Sequence, residues 1–172
     1  APLTRAMMSH AGEGCASNLT EGFMDEISTQ LKDVLVPYLS ARELARLAAK
    51  GPATPDHVIW TKPRPLILPF IGPGNGAEAK IPKVVAAYAK DYRAYVARYR
   101  RRLDGKVAPL DAFPQVVLAP GLGLFGLGAS VREAAIAADL FETNIKIITD
   151  AARIGTYAPA SEADLFDIEY WP

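Results

Sequence analysis

The stretch QVVLAPGLGLFGLGASVREAAIAADLFE, residues 115–142, decides the fold. Gln115 to Ala119 is mostly aliphatic and lies between two prolines, which predicts a strand covered on both faces. Residues 120–128 include four glycines, which permit positive φ angles and close backbone approach, so a turn is expected there. Ser130 and Glu133 form a capping box at a helix start. Apolar spacing then continues, and it predicts a helix over 130–152.

Gly121, Gly123 and Gly126 also match the G-x-G-x-x-G pattern of dinucleotide sites, where a pyrophosphate rests on a helix N-terminus. Such a site needs a second strand ending in an acidic residue soon after the helix. Here the nearest acidic candidates, Asp139 and Glu142, fall inside the predicted helix. This context argues against a dinucleotide site. A sugar-phosphate or dinucleotide-binding module that uses the glycine-rich turn 121–128 is the alternative interpretation.

The rest of the chain predicts one α/β domain with a mixed sheet flanked by helices on both faces. Strand composition indicates two further strands, His57–Thr61 and Leu66–Leu68, and a second long helix is expected over Ile81–Leu103. Residues 1–50 are interpreted as a helical arm and residues 51–172 as the α/β core. The chain begins with Ala1 rather than methionine, which fits an excised fragment or a processed or tagged terminus, and we expect a fragment of a longer protein.

Composition excludes several classes of function. Nineteen basic and nineteen acidic residues cancel, so no overall field favours nucleic acid or an anionic membrane. No apolar run reaches the length of a membrane span. Cys15 is the only cysteine, which excludes an internal disulfide and favours a reducing compartment such as the cytoplasm.

His57, beside Asp56, is a possible ligand-binding residue, although a lone histidine is more often structural.

Two segments resemble the class II aldolase/adducin family. Residues 122–128, LGLFGLG, match a family motif in which a metal-binding histidine stands where this chain has Leu122. Residues 61–63, TKP, match the end of a His-x-His-Pro strand, which places Trp60 and Lys62 at the other two metal-ligand positions. Isobutyl, indole and ammonium groups offer a metal no lone pair. The resemblance thus implies three degenerate ligand positions, with no catalytic residue and no metal in this segment.

A wider resemblance joins three motifs in order: PDH at 55–57, PGLGLF at 120–125 and FDIEYW at 166–171. They are similar to the middle segment of the bifunctional rhamnulose-1-phosphate aldolase/short-chain alcohol dehydrogenase family, over residues 41–171. That resemblance implies a three-layer α/β/α aldolase-like domain between a metal-dependent aldolase and an oxidoreductase domain. NAD and a divalent metal would then belong to the parent protein, and no cofactor to this segment. We therefore expect this segment to be a non-catalytic structural and assembly domain of a bifunctional sugar-catabolic enzyme.

Self-association is the last expectation. The helix predicted over 81–103 carries four tyrosines and five arginines between Tyr88 and Arg102, and both residue types are enriched at interfaces. The apolar turn at Leu124–Phe125 and the tail 166–171 add aromatic side chains. Class II aldolases are oligomers, so the resemblance implies a homo-oligomer, with a two-fold dimer as the commonest arrangement.

Overall fold

The computed structural model describes residues 48, 50–69, 77–103, 108–120 and 123–171. The predicted helical arm 1–50 therefore lies outside the described residues except at Ala48 and Lys50. The chain forms four α-helices and three strands within this part, joined by short 3₁₀ turns. In chain order they are α1 (Val58–Thr61), β1 (Leu66–Ile67), α2 (Ile81–Tyr99), β2 (Val116–Ala119), β3 (Gly123–Gly126), α3 (Val131–Ile154) and α4 (Glu162–Glu169).

A small mixed sheet lies at the centre, in the order β1-β2-β3. β1 runs parallel to β2, with Leu66 beside Val117. β3 runs antiparallel to β2, with Val117 beside Phe125. The predicted strands at 66–68 and 115–119 are thus confirmed, and the mixed sheet is compatible with an α/β aldolase-like domain.

β2 supplies the core because all four of its residues are buried. Successive side chains of a strand point to opposite faces. Accordingly Val116 and Leu118 pack with Phe141 and other residues of α3. Val117 and Ala119 belong to a separate cluster with Ile81, at the start of α2. The alternating side chains of β2 therefore pack towards α3 on one face of the sheet and towards α2 on the other.

The predicted strand at His57–Thr61 is wrong, because these residues are helical. A 3₁₀ turn at Pro55–His57 leads directly into α1. Thr54 is extended and Pro55 stands at the first helical position, where its fixed φ and missing N–H suit a helix start. The Thr61 hydroxyl donates to the His57 carbonyl 2.9 Å away, one turn earlier. Strand composition fails here because β propensity depends on a neighbouring strand.

The glycine-rich segment is also different from the expected turn, because half of it forms β3. The ladder continues past the strand through a 2.7 Å bond from the Leu127 amide to the Gln115 carbonyl. Gly126 and Gly128 lie against the first turns of α3, where a Cβ on Gly126 would overlap the Ala134 carbonyl. These two glycines allow the hairpin and the helix to approach closely. Gly121 and Leu122 lie outside the described residues.

The capping box predicted at Ser130 is confirmed. The Ser130 hydroxyl accepts from the Glu133 amide, and the Glu133 carboxylate accepts from the Ala129 amide at 2.9 Å. Ser161 caps α4 in the same manner, through the amide of Asp164. Within the described residues, none of the helices has the length and apolar character needed to cross a bilayer.

The tyrosine face of α2 is turned inward. Tyr92 and Tyr95 are buried, and Tyr88 and Tyr99 are partly buried beside them. They pack on Phe166 and Tyr170 of the C-terminal tail, whose rings lie 4.6 Å apart. The tail is therefore part of the core, and only Trp171 extends outward, at 73% exposure.

Candidate functional site

Lys62 is the most unusual of the residues that the sequence singled out. It ends α1 with φ 59° and ψ 171°, a region that is almost restricted to glycine and costs about 1–3 kcal/mol for other residues. The high ψ suits the residue before Pro63, since proline disfavours the helical region there. Lys62 is also 4% exposed. A lysine held buried in a strained backbone must have compensating contacts.

Those contacts surround the ammonium group. Lys62 Nζ donates to the Asp111 carbonyl at 2.5 Å. It also lies 3.8 Å from the centre of the Tyr92 ring, a cation–π geometry that gains about 2 kcal/mol when water is excluded. The Glu169 carboxylate is close enough to act on its charge. Lys62 thus joins the end of α1 to α2, to the loop before β2 and to α4.

A hydrogen-bonded group of side chains continues from there. Tyr92 Oη donates to Glu169 Oε1 at 2.7 Å and lies 3.0 Å from Tyr170 Oη. The Leu110 amide donates to Tyr170 Oη at 3.3 Å. We call Lys62, Tyr92, Tyr95, Glu169 and Tyr170 the Lys62 cluster. Glu169 Oε2 and Tyr95 Oη are buried and have no hydrogen-bond partner among the described residues.

Burial controls the electrostatics of this cluster. Desolvation lowers the pKa of Lys62, although Glu169 and Asp111 act in the opposite direction. Desolvation likewise raises the pKa of Glu169, against the effects of the Tyr92 hydrogen bond and the Lys62 charge. The tyrosine hydroxyls of Tyr92 and Tyr95 are held neutral because burial and the nearby Glu169 both raise their pKa. Burial therefore destabilises the charged form of both Lys62 and Glu169, and the opposite charge of the partner stabilises it.

Perturbed ionisable groups are often found at active sites, but structural networks perturb them too. Lys62 and Glu169 have side chains that are almost completely covered by the protein. Both groups contact Tyr92, because Glu169 accepts from its hydroxyl and the Lys62 ammonium lies over its ring. These contacts link segments that are far apart in sequence. The arrangement is suited to fixing the C-terminal tail against α1 and α2.

Among the residues that the structure describes, the other predicted site residues do not gather around Lys62. Trp60 lies two residues earlier on α1, is 37% exposed and is among the exposed apolar residues. His57 is partly buried, and its Nδ1 has no hydrogen-bond partner among the described residues, so Asp56 does not orient it. Gly123 has φ 139° and pairs with Ala119 in the sheet. Leu122 and Gly121 lie outside the described residues.

Residues 2–172 match the family described as "Aldolase class II, second domain". The chain belongs to that family. It is also similar to the uncharacterized oxidoreductase YuxG of Bacillus subtilis (strain 168), with 25% identity over 144 residues. The match covers 81% of this chain and 20% of YuxG, so the chain spans about a fifth of that relative's length. No solved structure matches the chain.

A divalent metal, which the class II aldolase resemblance implies, does not fit the two degenerate ligand positions that the structure describes, Trp60 and Lys62. At the Lys62 position a buried ammonium fills the space and contributes positive charge, which repels a cation. Trp60 is partly exposed whereas Lys62 is buried, so the two side chains lie in different environments. Neither side chain can donate a lone pair to a metal. No group of three His, Cys, Asp or Glu side chains in the described part of the chain is arranged to hold a metal ion.

Sequence reasoning did not find the partners of Lys62. Asp111 binds through its backbone carbonyl, which any residue type would provide. Glu169 is 107 positions away from Lys62 in the chain, and no local pattern connects them. One signal was available. The tail 166–171 and the tyrosine face of α2 are both rich in aromatic residues, and buried aromatic side chains pack on one another.

Proposed function

We propose that this second domain is a non-catalytic structural and assembly domain of a longer sugar-catabolic enzyme. The observation that carries the proposal is the state of Lys62. At a position where the aldolase resemblance implies a metal-binding histidine, the chain has a buried cation that joins α1, α2 and α4. A position that would bind metal is therefore used for packing.

The parent protein is, in this proposal, a bifunctional rhamnulose-1-phosphate aldolase/short-chain dehydrogenase, with this segment between its two enzyme domains. Two findings support it: the family match, and the similarity to a relative named an oxidoreductase, of which this chain covers 20%. NAD and the catalytic metal would then be bound by the flanking domains. The same proposal includes the three-layer α/β/α arrangement, a homo-oligomeric state and a cytoplasmic location.

A dinucleotide or sugar-phosphate site at residues 121–128 is less well supported. Such a site needs the glycine turn to lead from a strand directly into a helix. Here β3 intervenes, and Gly126 and Gly128 are occupied by packing against α3. No observation favours this second function over the first.

The decisive experiment measures metal and activity in the purified 172-residue chain. We expect no stoichiometric zinc by elemental analysis and no retro-aldol cleavage of sugar phosphates, since a catalytic zinc site needs about three protein ligands. One tightly bound zinc per chain would contradict the proposal. Sequencing the coding DNA on both sides tests the architecture, which fails if no aldolase or dehydrogenase domain adjoins this one.

A further inference from the structure

The carboxylate of Glu162, the first residue of α4, is held by donors from two other parts of the fold. Its Oε1 accepts a hydrogen bond from Arg64 Nη2 at 2.7 Å. Its Oε2 accepts from the Tyr99 hydroxyl at 3.4 Å and lies 3.5 Å from Arg98 Nη2. Two guanidinium groups and one hydroxyl therefore converge on a single carboxylate. Donors of this kind bind carboxylate and phosphate groups alike.

Contacts other than this carboxylate hold the donors in place. The Tyr88 hydroxyl donates to the Arg64 carbonyl at 2.9 Å, which ties the backbone of Arg64 to α2. The Arg98 guanidinium lies 5.8 Å from the centre of the Tyr99 ring. The Tyr99 ring packs in turn on Phe166, with 5.9 Å between the ring centres. Donors that are already in position lose less entropy when they bind a ligand.

The site is open to solvent and lies in a basic part of the surface. Residues 98–102 include four arginines. The side chains of Arg64 and Arg98 are 58% and 59% exposed, and that of Glu162 is 34% exposed. Ion pairs with this exposure contribute little to stability, because water competes for both partners. The Glu162 side chain can therefore leave its donors and turn to solvent at small cost.

We propose that Arg64, Arg98 and Tyr99 bind the phosphate group of a small anion, and that Glu162 competes with this ligand for the same donors. A phosphate monoester carries about −1.5 to −2 charges near pH 7 and has three strong acceptor oxygens. The Glu162 carboxylate has one charge and two oxygens. The planar guanidinium fork also matches the geometry of a phosphate group. Phosphate can therefore accept from all three donors with a larger attraction than the carboxylate has.

This inference goes beyond the proposed structural role, because it gives the domain a ligand. Binding of a phosphate group here needs no metal and no proton transfer, so it is compatible with a non-catalytic domain. The site uses none of residues 121–128 and none of the Lys62 cluster. It does not depend on which domains flank this one.

The first test is an NMR titration of the 172-residue chain with inorganic phosphate and with glycerol phosphate, at constant ionic strength set by sodium chloride. We expect saturable shifts of the amide signals of Arg64, Arg98 and Glu162, with a dissociation constant on the order of a millimolar. Tighter binding of glycerol phosphate would identify an organic phosphate as the ligand, and equal binding would identify free phosphate. Shifts that do not saturate overturn the inference.

Four variants test the competition. Glu162→Gln keeps the shape but removes the competing charge, and it should tighten phosphate binding about tenfold. Arg64→Gln and Arg98→Gln should each weaken it by about tenfold or more. Arg102→Gln is the matched control, because Arg102 lies four residues after Arg98 but binds Asp167 instead, and it should change the affinity less than about threefold.

Two results with these variants would overturn the inference. Equal losses for Arg98→Gln and Arg102→Gln would mean that phosphate is attracted by diffuse positive charge and not by a built site. An unchanged affinity in Glu162→Gln would mean that the carboxylate does not compete. Neither result bears on the zinc and retro-aldol measurement, which tests the proposed function separately.

Discussion

Replacing Lys62 with methionine tests whether the Lys62 cluster holds the C-terminal tail. Methionine keeps the length of the side chain and the strained backbone but removes the ammonium. The lost bond to the Asp111 carbonyl is one from a charged donor, which contributes about 1.5–3 kcal/mol. The lost cation–π contact with Tyr92 adds up to about 2 kcal/mol. Relief of the buried charge offsets part of this, so we expect Lys62→Met to lower the free energy of unfolding by about 2–3 kcal/mol.

The loss should depend on pH in a defined direction. The pKa of Glu169 is raised above its ordinary 4.5, so its stabilising contribution is complete below that value and is lost as pH rises through the folded pKa. Lys62→Met removes the positive charge that lowers the Glu169 pKa, and it therefore increases this loss. The pKa of Lys62 is lowered from 10.5, so wild-type stability rises with pH from the folded pKa of Lys62 towards 10.5. The Glu169 effect makes the penalty larger at pH 8 than at pH 5, and the Lys62 effect adds to it above the folded pKa of Lys62.

Urea unfolding of both proteins at the two pH values measures the effect. Glu169→Gln provides the matched background, because it keeps the shape and removes the carboxylate charge. The double variant should lose less than the sum of the single variants, as coupled neighbours do. An unchanged unfolding midpoint for Lys62→Met, or a penalty equal at pH 5 and pH 8, would refute the assignment of Lys62 to a buried charge network.

Two further predictions concern packing. Gly126→Ala should destabilise the domain by about 1–3 kcal/mol in urea unfolding, because its Cβ would overlap the Ala134 carbonyl. Gly155→Ala is the control and should not destabilise the domain, because no atom lies within 4 Å of its Cβ. Equal effects of the two substitutions would contradict the packing of β3 on α3. Phe166→Ala should cost about 3–5 kcal/mol, since the ring is fully buried among tyrosine rings, and a melting temperature that remains near the wild-type value would show that the tail is not part of the core.

The sequence by itself determined the elements whose signal is local. The strand at β2, the long helices α2 and α3, and the cap at Ser130 were all predicted correctly. A cap needs only a hydroxyl and a backbone amide three residues later, and a long amphipathic helix repeats its signal many times. The family resemblance at 122–128 was likewise visible in the residues, and the match over 2–172 places the chain in that family.

The tertiary structure decided what depends on distant partners. Residues 57–61 have strand composition but become helical, because Pro55 starts a helix and no neighbouring strand pairs with them. The glycines predicted as a turn supply a strand, since β2 offers an edge on which residues 123–126 can pair. Lys62 was predicted to be unable to bind a metal, but its contacts in the structure depend on Tyr92 and Glu169. Those residues meet it only after α2 and α4 have packed, and the burial that this produces sets the charge properties of the whole cluster.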